Sequence, residues 1–229
     1  MEVLSGGYTL ELAPGAFPLS TDSMVLADFV KLPRNASVLD LGSGCGTLGL
    51  LLCAKDPGCT VTGVELTAEA HGAALHNIAA NGLGTRLSSL CADLRQMPPE
   101  LTPGSFSCCV SNPPYFSGGE ASRKTPLARR QDCCSAEDLM KAAARYLRFG
   151  GDFYLVHRPE KLAQLCHEAS RFGLEPKILS LVRHRSDKPI AMILLRCRKG
   201  GRPGLQIEEL TLHHPDGSPT EDYRRIYHL

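Results

Sequence analysis

Apolar positions along the chain fall into short runs bounded by turn residues, with helix-period stretches between them. Ser37-Val38-Leu39-Asp40-Leu41 is one such run and ends in a glycine-rich turn, after which helix-forming residues continue from Leu48 to Ala54. A strand, a tight loop and a helix are expected there, in that order. Thr60 to Glu65 is rich in β-branched residues and predicts a second strand. The alanine-rich stretch from Ala68 to Ala80 has helical spacing and stops at Asn81-Gly82, which completes a βαβ unit. Leu87 to Cys91 and Phe106 to Val110 have the pattern of buried parallel strands.

Downstream, Ser135-Ala136-Glu137-Asp138 has the form of a capping box, opening a helix whose apolar positions run through Leu147 to a stop at Gly150-Gly151. Phe153 to Val156 predicts the next strand, and Pro159 suits the first turn of a helix reaching about Phe172. Ile178 to Val182 and Ala191 to Leu195 read as two strands joined by a polar loop. This alternation predicts an open, doubly wound α/β sheet. With 229 residues the chain can bury one substantial core and carry only a small appendage, so a single domain over residues 1–229 is expected.

Composition narrows the class without naming a chemistry. A hydrophobic fraction of 43% and a charged fraction of 21% are ordinary for a folded protein and argue against disorder or a fibrous structure. The opening MEVLSGGYTLELAPG lacks the basic and apolar regions of a secretory signal, and no apolar run is long enough to cross a bilayer; a cytoplasmic protein with no membrane partner is expected. The ten cysteines then read as reduced thiols. Adjacent pairs, Cys108-Cys109 and Cys133-Cys134, do not match zinc-ligand spacing, so no metal is expected. Charge is uneven: from Ala121 to Arg202 there are 18 Lys and Arg against 8 Asp and Glu, whereas the rest of the chain holds 7 basic and 16 acidic residues. That excess of basic groups suits a polyanionic partner, although a solvated charged surface gives the same pattern.

Two segments carry candidate chemistry. In Asp40-Leu41-Gly42-Ser43-Gly44-Cys45-Gly46, Gly42, Gly44 and Gly46 allow a tight turn and close approach of a ligand to the backbone. Glu65 follows Gly46 by 19 residues, at the end of the next strand, where a carboxylate can accept from both hydroxyls of a ribose; Asp93, after the third strand, can meet an adenine amine. Gly44 to Gly49 also satisfies the G-x-G-x-x-G pattern of dinucleotide sites. Asp40 separates the two readings, because a carboxylate at that turn repels a pyrophosphate but can hold the cationic amino-acid end of S-adenosylmethionine.

The second segment is Asn112-Pro113-Pro114-Tyr115, expected at the same carboxyl edge of the sheet. Its prolines stiffen the turn, so the Asn112 side chain and the Pro113 carbonyl can act as a pair of acceptors, while Tyr115 offers a stacking face. Two acceptors on an aromatic amine favour pyramidalisation and expose its delocalised lone pair to a methyl donor, with neither metal nor covalent intermediate. A stiff surface turn is the plain alternative.

Together, Asp40 to Gly46, Glu65, Asp93 and Asn112 to Tyr115 resemble the amino-methyltransferases of the Rossmann-like class I fold. Nearly the whole chain is similar to the bacterial tRNA(Val) adenine-N6 methyltransferase family, through Phe17-Pro18-Leu19-Ser20-Thr21-Asp22-Ser23, Asn112-Pro113-Pro114-Tyr115-Phe116, His157-Arg158-Pro159-Glu160 and the ending from Asp216-Gly217 to Ile226-Tyr227. The resemblance implies a mostly parallel sheet with an antiparallel C-terminal strand, S-adenosylmethionine as cofactor, and tRNA as partner, with the adenine beside the anticodon as target. It also implies that residues 1–36 help close over the cofactor through Ser20, Thr21 and Asp22, which otherwise read as a helix N-cap. Phe116, Arg123, Lys124, Arg129 and Arg158 are the expected RNA contacts beside Tyr115, the first four in or next to a loop from Gly118 to Arg130 expected to order on RNA. Other readings stay open: a protein-glutamine N5-methyltransferase, a DNA adenine methyltransferase, an rRNA guanine-N2 methyltransferase, or an inactive RNA-binding module on the same fold. Oligomeric state is not legible in the pattern.

Overall fold

The structure, a computed structural model, describes residues 2–13, 19–96, 98–113 and 134–227. A short antiparallel hairpin, β1 (Glu2–Val3) and β2 (Thr9–Leu10), precedes helix α1 (Thr21–Phe29). Then come β3 (Ser37–Leu41), α2 (Thr47–Lys55), β4 (Thr60–Glu65), α3 (Ala68–Ala80), β5 (Leu87–Cys91) and β6 (Phe106–Ser111). The second half holds α4 (Ala136–Tyr146), β7 (Leu147–His157), α5 (Leu162–Arg171), β8 (Leu174–Arg185), β9 (Met192–Lys199), β10 (Gln206–His213) and α6 (Glu221–Tyr227).

Strands β3 to β10 form one eight-stranded sheet in the order β10-β8-β9-β7-β6-β3-β4-β5. All neighbours pair in parallel except β9, which runs antiparallel to both β7 and β8. The chain moves outward from β3 through β4 to β5, then returns to place β6 on the other side of β3. That reversal opens a crevice at the carboxyl ends of β3 and β6, the usual ligand position in such sheets. Apolar residues alternate along the central strands and build a core on each face. Val38, Val61, Cys108 and Val110 pack with α1, α2 and α3, and Leu39, Leu41, Val64 and Cys109 pack with α4 and α5.

Several expected elements appear with altered bounds. The capping box at Ser135 is present, its hydroxyl accepting from Asp138 N at 3.1 Å while the Asp138 carboxylate accepts from Ser135 N at 3.0 Å. The helix does not run on to Gly150-Gly151. It ends at Tyr146, because Leu147 turns extended and pairs with Phe106, and the two glycines lie inside β7 beside a shift in its register with β6. Pro159 opens a separate short 3-10 turn, Pro159–Lys161, before α5. β9 supplies the antiparallel strand, and β10 lies beyond β8 as a further parallel edge strand that the patterning did not predict.

Helix α1 is anchored from three sides. The Lys55 ammonium donates to the carbonyls of Ala27, Asp28 and Val30 at 2.6–2.8 Å, closing the last turn of α1. From α6, the Tyr227 hydroxyl bonds Thr21 Oγ1 at 3.3 Å and Arg225 pairs with Asp28 at 3.1 Å. From the sheet, the Tyr154 ring meets Phe29 edge to face. The segment before α1 is held by α3: Asn77 Oδ1 accepts from Glu11 N, while Asn77 Nδ2 donates to Glu11 O and to Cys45 O in the glycine turn. Among the described residues no helix is long and apolar enough to cross a membrane.

Candidate active site

The turn after β3 is folded against the end of β4. Gly42 N and Ser43 N both donate to Val64 O, at 2.9 and 3.0 Å, and Gly46 N donates to Ser43 O. Gly42, Gly44 and Gly46 all have positive φ, between 54° and 84°. A Cβ at Gly42 or Gly44 would meet nothing within 4 Å, so the backbone there faces open space that a ligand can approach. Gly46 caps α2 in the left-handed region. Across the turn, a Cβ at Gly63 would lie 2.6 Å from Ser43 Oγ, so Ser43 can fold over β4 only because that position is glycine.

Asp40 lies one residue before the end of β3, paired with Gly63 and Val110, and is 1% exposed. Neither carboxylate oxygen has a hydrogen-bond partner among the described residues. Burial, assisted by the nearby Glu65 charge, pushes its pKa up to about 8. A buried carboxylate with nothing to neutralise it is costly, and a cation is the ligand that relieves the cost. Glu65, at the end of β4, differs: it accepts from Gly44 N at 3.0 Å and from Thr67 N and Thr67 Oγ1, each at 2.8 Å. Asp93, expected to meet an adenine amine, holds Arg95 with both carboxylate oxygens, at 2.7 to 3.1 Å. The Arg95 guanidinium keeps its carboxyl below the usual range, so an adenine amine must compete with that pair.

Ser111 ends β6, fully buried with its hydroxyl on Leu41 O at 2.7 Å, which locks the strand to the end of β3. The next residue, Asn112, follows the alternation onto the face covered by α1. Its side-chain amide donates from Nδ2 to Ser23 Oγ at 2.9 Å, and buried Pro113 follows. The structure therefore brings Asp40, the glycine turn and Glu65 together with Asn112 and Pro113 at adjacent strand ends of one sheet edge. Ser20 is the N-cap of α1, accepting from Ser23 N at 3.4 Å, Thr21 bonds Tyr227 and Asp22 lies in the first turn, so the trio has the helix-start role, and it is the next residue, Ser23, that bonds Asn112. Arg158 is exposed just past the end of β7, its N–H donating to His157 Nδ1; burial lowers the His157 pKa to about 4, leaving a neutral ring that can accept. Pro114, Tyr115, Phe116, Arg123, Lys124 and Arg129 lie outside the described residues, as does the whole loop from Gly118 to Arg130. Ser23 has no local signal of a site role, since its contact with Asn112 spans 89 positions, too far for local spacing to reveal. No group of three or more His, Cys, Asp or Glu side chains among the described residues could hold a metal.

Comparison with known proteins gives the family and the fold. The family described as "Methyltransferase small domain" matches residues 15–169. The tRNA1(Val) (adenine(37)-N6)-methyltransferase of Dickeya chrysanthemi is 32% identical over 213 residues, 92% of this chain and 83% of the relative. The protein of the same description from Vibrio parahaemolyticus is 28% identical over 96% of this chain and 91% of its own length. Among solved structures, a predicted O-methyltransferase from Agrobacterium tumefaciens superposes with a TM-score of 0.74 at 21% identity, covering 91% of this chain and 96% of that one. A geranyl diphosphate methyltransferase solved in complex with SAM gives 0.55 at 14% identity, over 77% and 84% of the two chains.

Proposed function

The chain belongs to the methyltransferase small domain family and, within it, to the tRNA1(Val) adenine-N6 methyltransferases; from that premise we propose that this S-adenosylmethionine-dependent methyltransferase acts on the exocyclic N6 amine of an adenine in tRNA, beside the anticodon of a valine tRNA. The observation that carries the reading is the placement of Asn112 and Pro113 one strand away from a buried carboxylate with no hydrogen-bond partner among the described residues.

S-adenosylmethionine supplies an electrophilic sulfonium methyl, and its amino-acid end carries the ammonium that Asp40 lacks. The residues present fit that group: Asp40 neutralises the ammonium, the open backbone at Gly42 and Gly44 admits the ligand, and Glu65 takes a ribose hydroxyl beside the donors it already holds. Asn112 Oδ1 and the Pro113 carbonyl accept the two hydrogens of the target amine, which localises its lone pair towards the methyl donor. An amide cannot act as a strong base, so the proton leaves to water after transfer. Tyr115 adds a stacking face for the base, a role that rests on the sequence motif. Arg158 at the end of β7, Arg183 in β8 and Lys188 in the following loop share the site's edge of the sheet, a surface suited to RNA phosphates. A tRNA substrate places the enzyme in the cytoplasm.

Incubation with labelled S-adenosylmethionine and separate pools of tRNA, rRNA, DNA and total protein tests the substrate. Nucleoside mass spectrometry is expected to find N6-methyladenosine in tRNA alone, whereas label in protein, or as methylguanosine in rRNA, overturns the assignment. Asn112→Ala is expected to reduce turnover by about 10²–10³-fold while cofactor affinity is kept.

A further inference from the structure

We infer that Ser23 is a positioning residue for methyl transfer: its hydroxyl holds the Asn112 amide so that Oδ1, and not Nδ2, is presented to the target amine. The inference rests on the acceptor role given to Asn112 above.

A side-chain amide has an acceptor end and a donor end of nearly the same shape, and its terminal torsion has two broad wells. A methyl-accepting amine needs the acceptor end. An asparagine turned the other way would aim its own N–H groups at the amine hydrogens and repel the substrate, so the site has to select one of the two orientations. Prolines after Asn112 stiffen the backbone but leave that torsion untouched.

Ser23 supplies the selection. It lies in the first turn of α1, 7% exposed, with its Oγ 2.9 Å from Asn112 Nδ2. A hydroxyl can donate or accept, so it discriminates only if its hydrogen is committed elsewhere. Ser20 Oγ is 3.5 Å away and already accepts from Ser23 N, so it is the available acceptor for that hydrogen. With Ser23 as the donor in that 3.5 Å contact, the polarity runs from Asn112 Nδ2 to Ser23 Oγ to Ser20 Oγ. This relay sits on a fixed base, since Lys55, Tyr227 and Arg225 anchor both ends of α1. Ser20 therefore has a use in the chemistry beyond capping its helix.

The test compares Ser23→Ala and Ser23→Thr with Asn112→Ala, using bulk tRNA and S-adenosylmethionine. Ser23→Ala is expected to lower kcat roughly tenfold to a hundredfold, because the amide then also populates the orientation that presents Nδ2, with the cofactor Kd nearly unchanged and the melting temperature lowered by only a few degrees. Ser23→Thr keeps the hydroxyl and is expected to recover most of the rate. The double variant with Asn112→Ala is expected to be no slower than Asn112→Ala alone, because the two side chains act as one unit. Side-chain amide signals of Asn112 should broaden or exchange faster in Ser23→Ala, a change that loss of helix stability alone would not localise. Normal kcat in Ser23→Ala, or a loss that adds in full to that of Asn112→Ala, overturns the inference while leaving Asn112 in place. Normal turnover in Asn112→Ala overturns the reading of Asn112 and this inference with it.

Discussion

The carboxyl ends of β3 and β4 are neighbours in the sheet, yet they treat their carboxylates in opposite ways. At the end of β4, Glu65 is surrounded by donors from Gly44 and Thr67, so its charge is spread over three hydrogen bonds and ties the glycine turn to the start of α3. At the end of β3, Asp40 is buried with both oxygens bare, facing a glycine instead of a side chain on β4. A carboxylate has room for about four donors. Glu65 is thus a structural group with one place to spare, suited to a neutral hydroxyl, whereas Asp40 is a buried carboxyl with no donor among the described residues, suited to a cation. One strand end builds the loop, and the other waits for a positive charge.

The sharpest way to break this contrast is Asp40→Asn. It keeps the shape and removes the charge, and it is expected to weaken S-adenosylmethionine binding about a hundredfold in calorimetry, in the range of a hydrogen bond to a charged group. A change of less than threefold would mean that the cationic end of the cofactor lies elsewhere.

The next effect is a dependence on pH of about tenfold per unit. The carboxyl of Asp40 has a folded pKa near 8, above the ordinary 3.8, so between those values the ligand-free fold holds a proton that the unfolded chain has released. Stability from this group is therefore greatest at low pH and falls as pH rises from about 4 through about 8. Cofactor binding needs the ionised form and runs the other way: affinity should rise towards pH 8, with a proton released to buffer on binding. Both slopes should vanish in Asp40→Asn, and a wild-type affinity flat between pH 6 and 8 would remove Asp40 from the cofactor's ion pair.

The features legible in the chain were those whose causes are local. The glycine turn, the alanine-rich α3 and the capping box at Ser135 each follow from residues within a few positions of one another, and all three appear where periodicity puts them. β10 gave no such signal, because Gln206 to Glu209 are all exposed and show no alternation, and α6 is only seven residues long. The start of β7 has no strand signal in the sequence, because Arg148, Phe149 and Gly150 are exposed where a buried strand would be apolar and alternating. At the site, the positions of Asp40, Glu65 and Asn112 could be read from strand ends, but not their partners. The bond from Asn112 to Ser23 joins distant segments, and the burial that raises the Asp40 pKa is a property of the packed sheet. The bond from Asp93 to Arg95 is local, two residues apart, and is a partner that spacing alone could suggest.

The smallest expected effect sharpens the other side of the contrast. Thr67→Val removes one of three donors to Glu65 and keeps the shape of the side chain, while Thr67 N and Gly44 N still hold the carboxylate. The cost should be about 0.5–1.5 kcal/mol, that of a single hydrogen bond at a half-buried site. In a chain of this length each kcal/mol corresponds to roughly 2–4 °C in melting temperature, measured without cofactor. Cofactor affinity should change by less than about threefold, because Glu65 stays in position and its charge is intact. If Thr67→Val instead weakened binding as much as Asp40→Asn while the melting temperature held, Glu65 would be a recognition group poised by Thr67, and the division of labour between the two strand ends would fail.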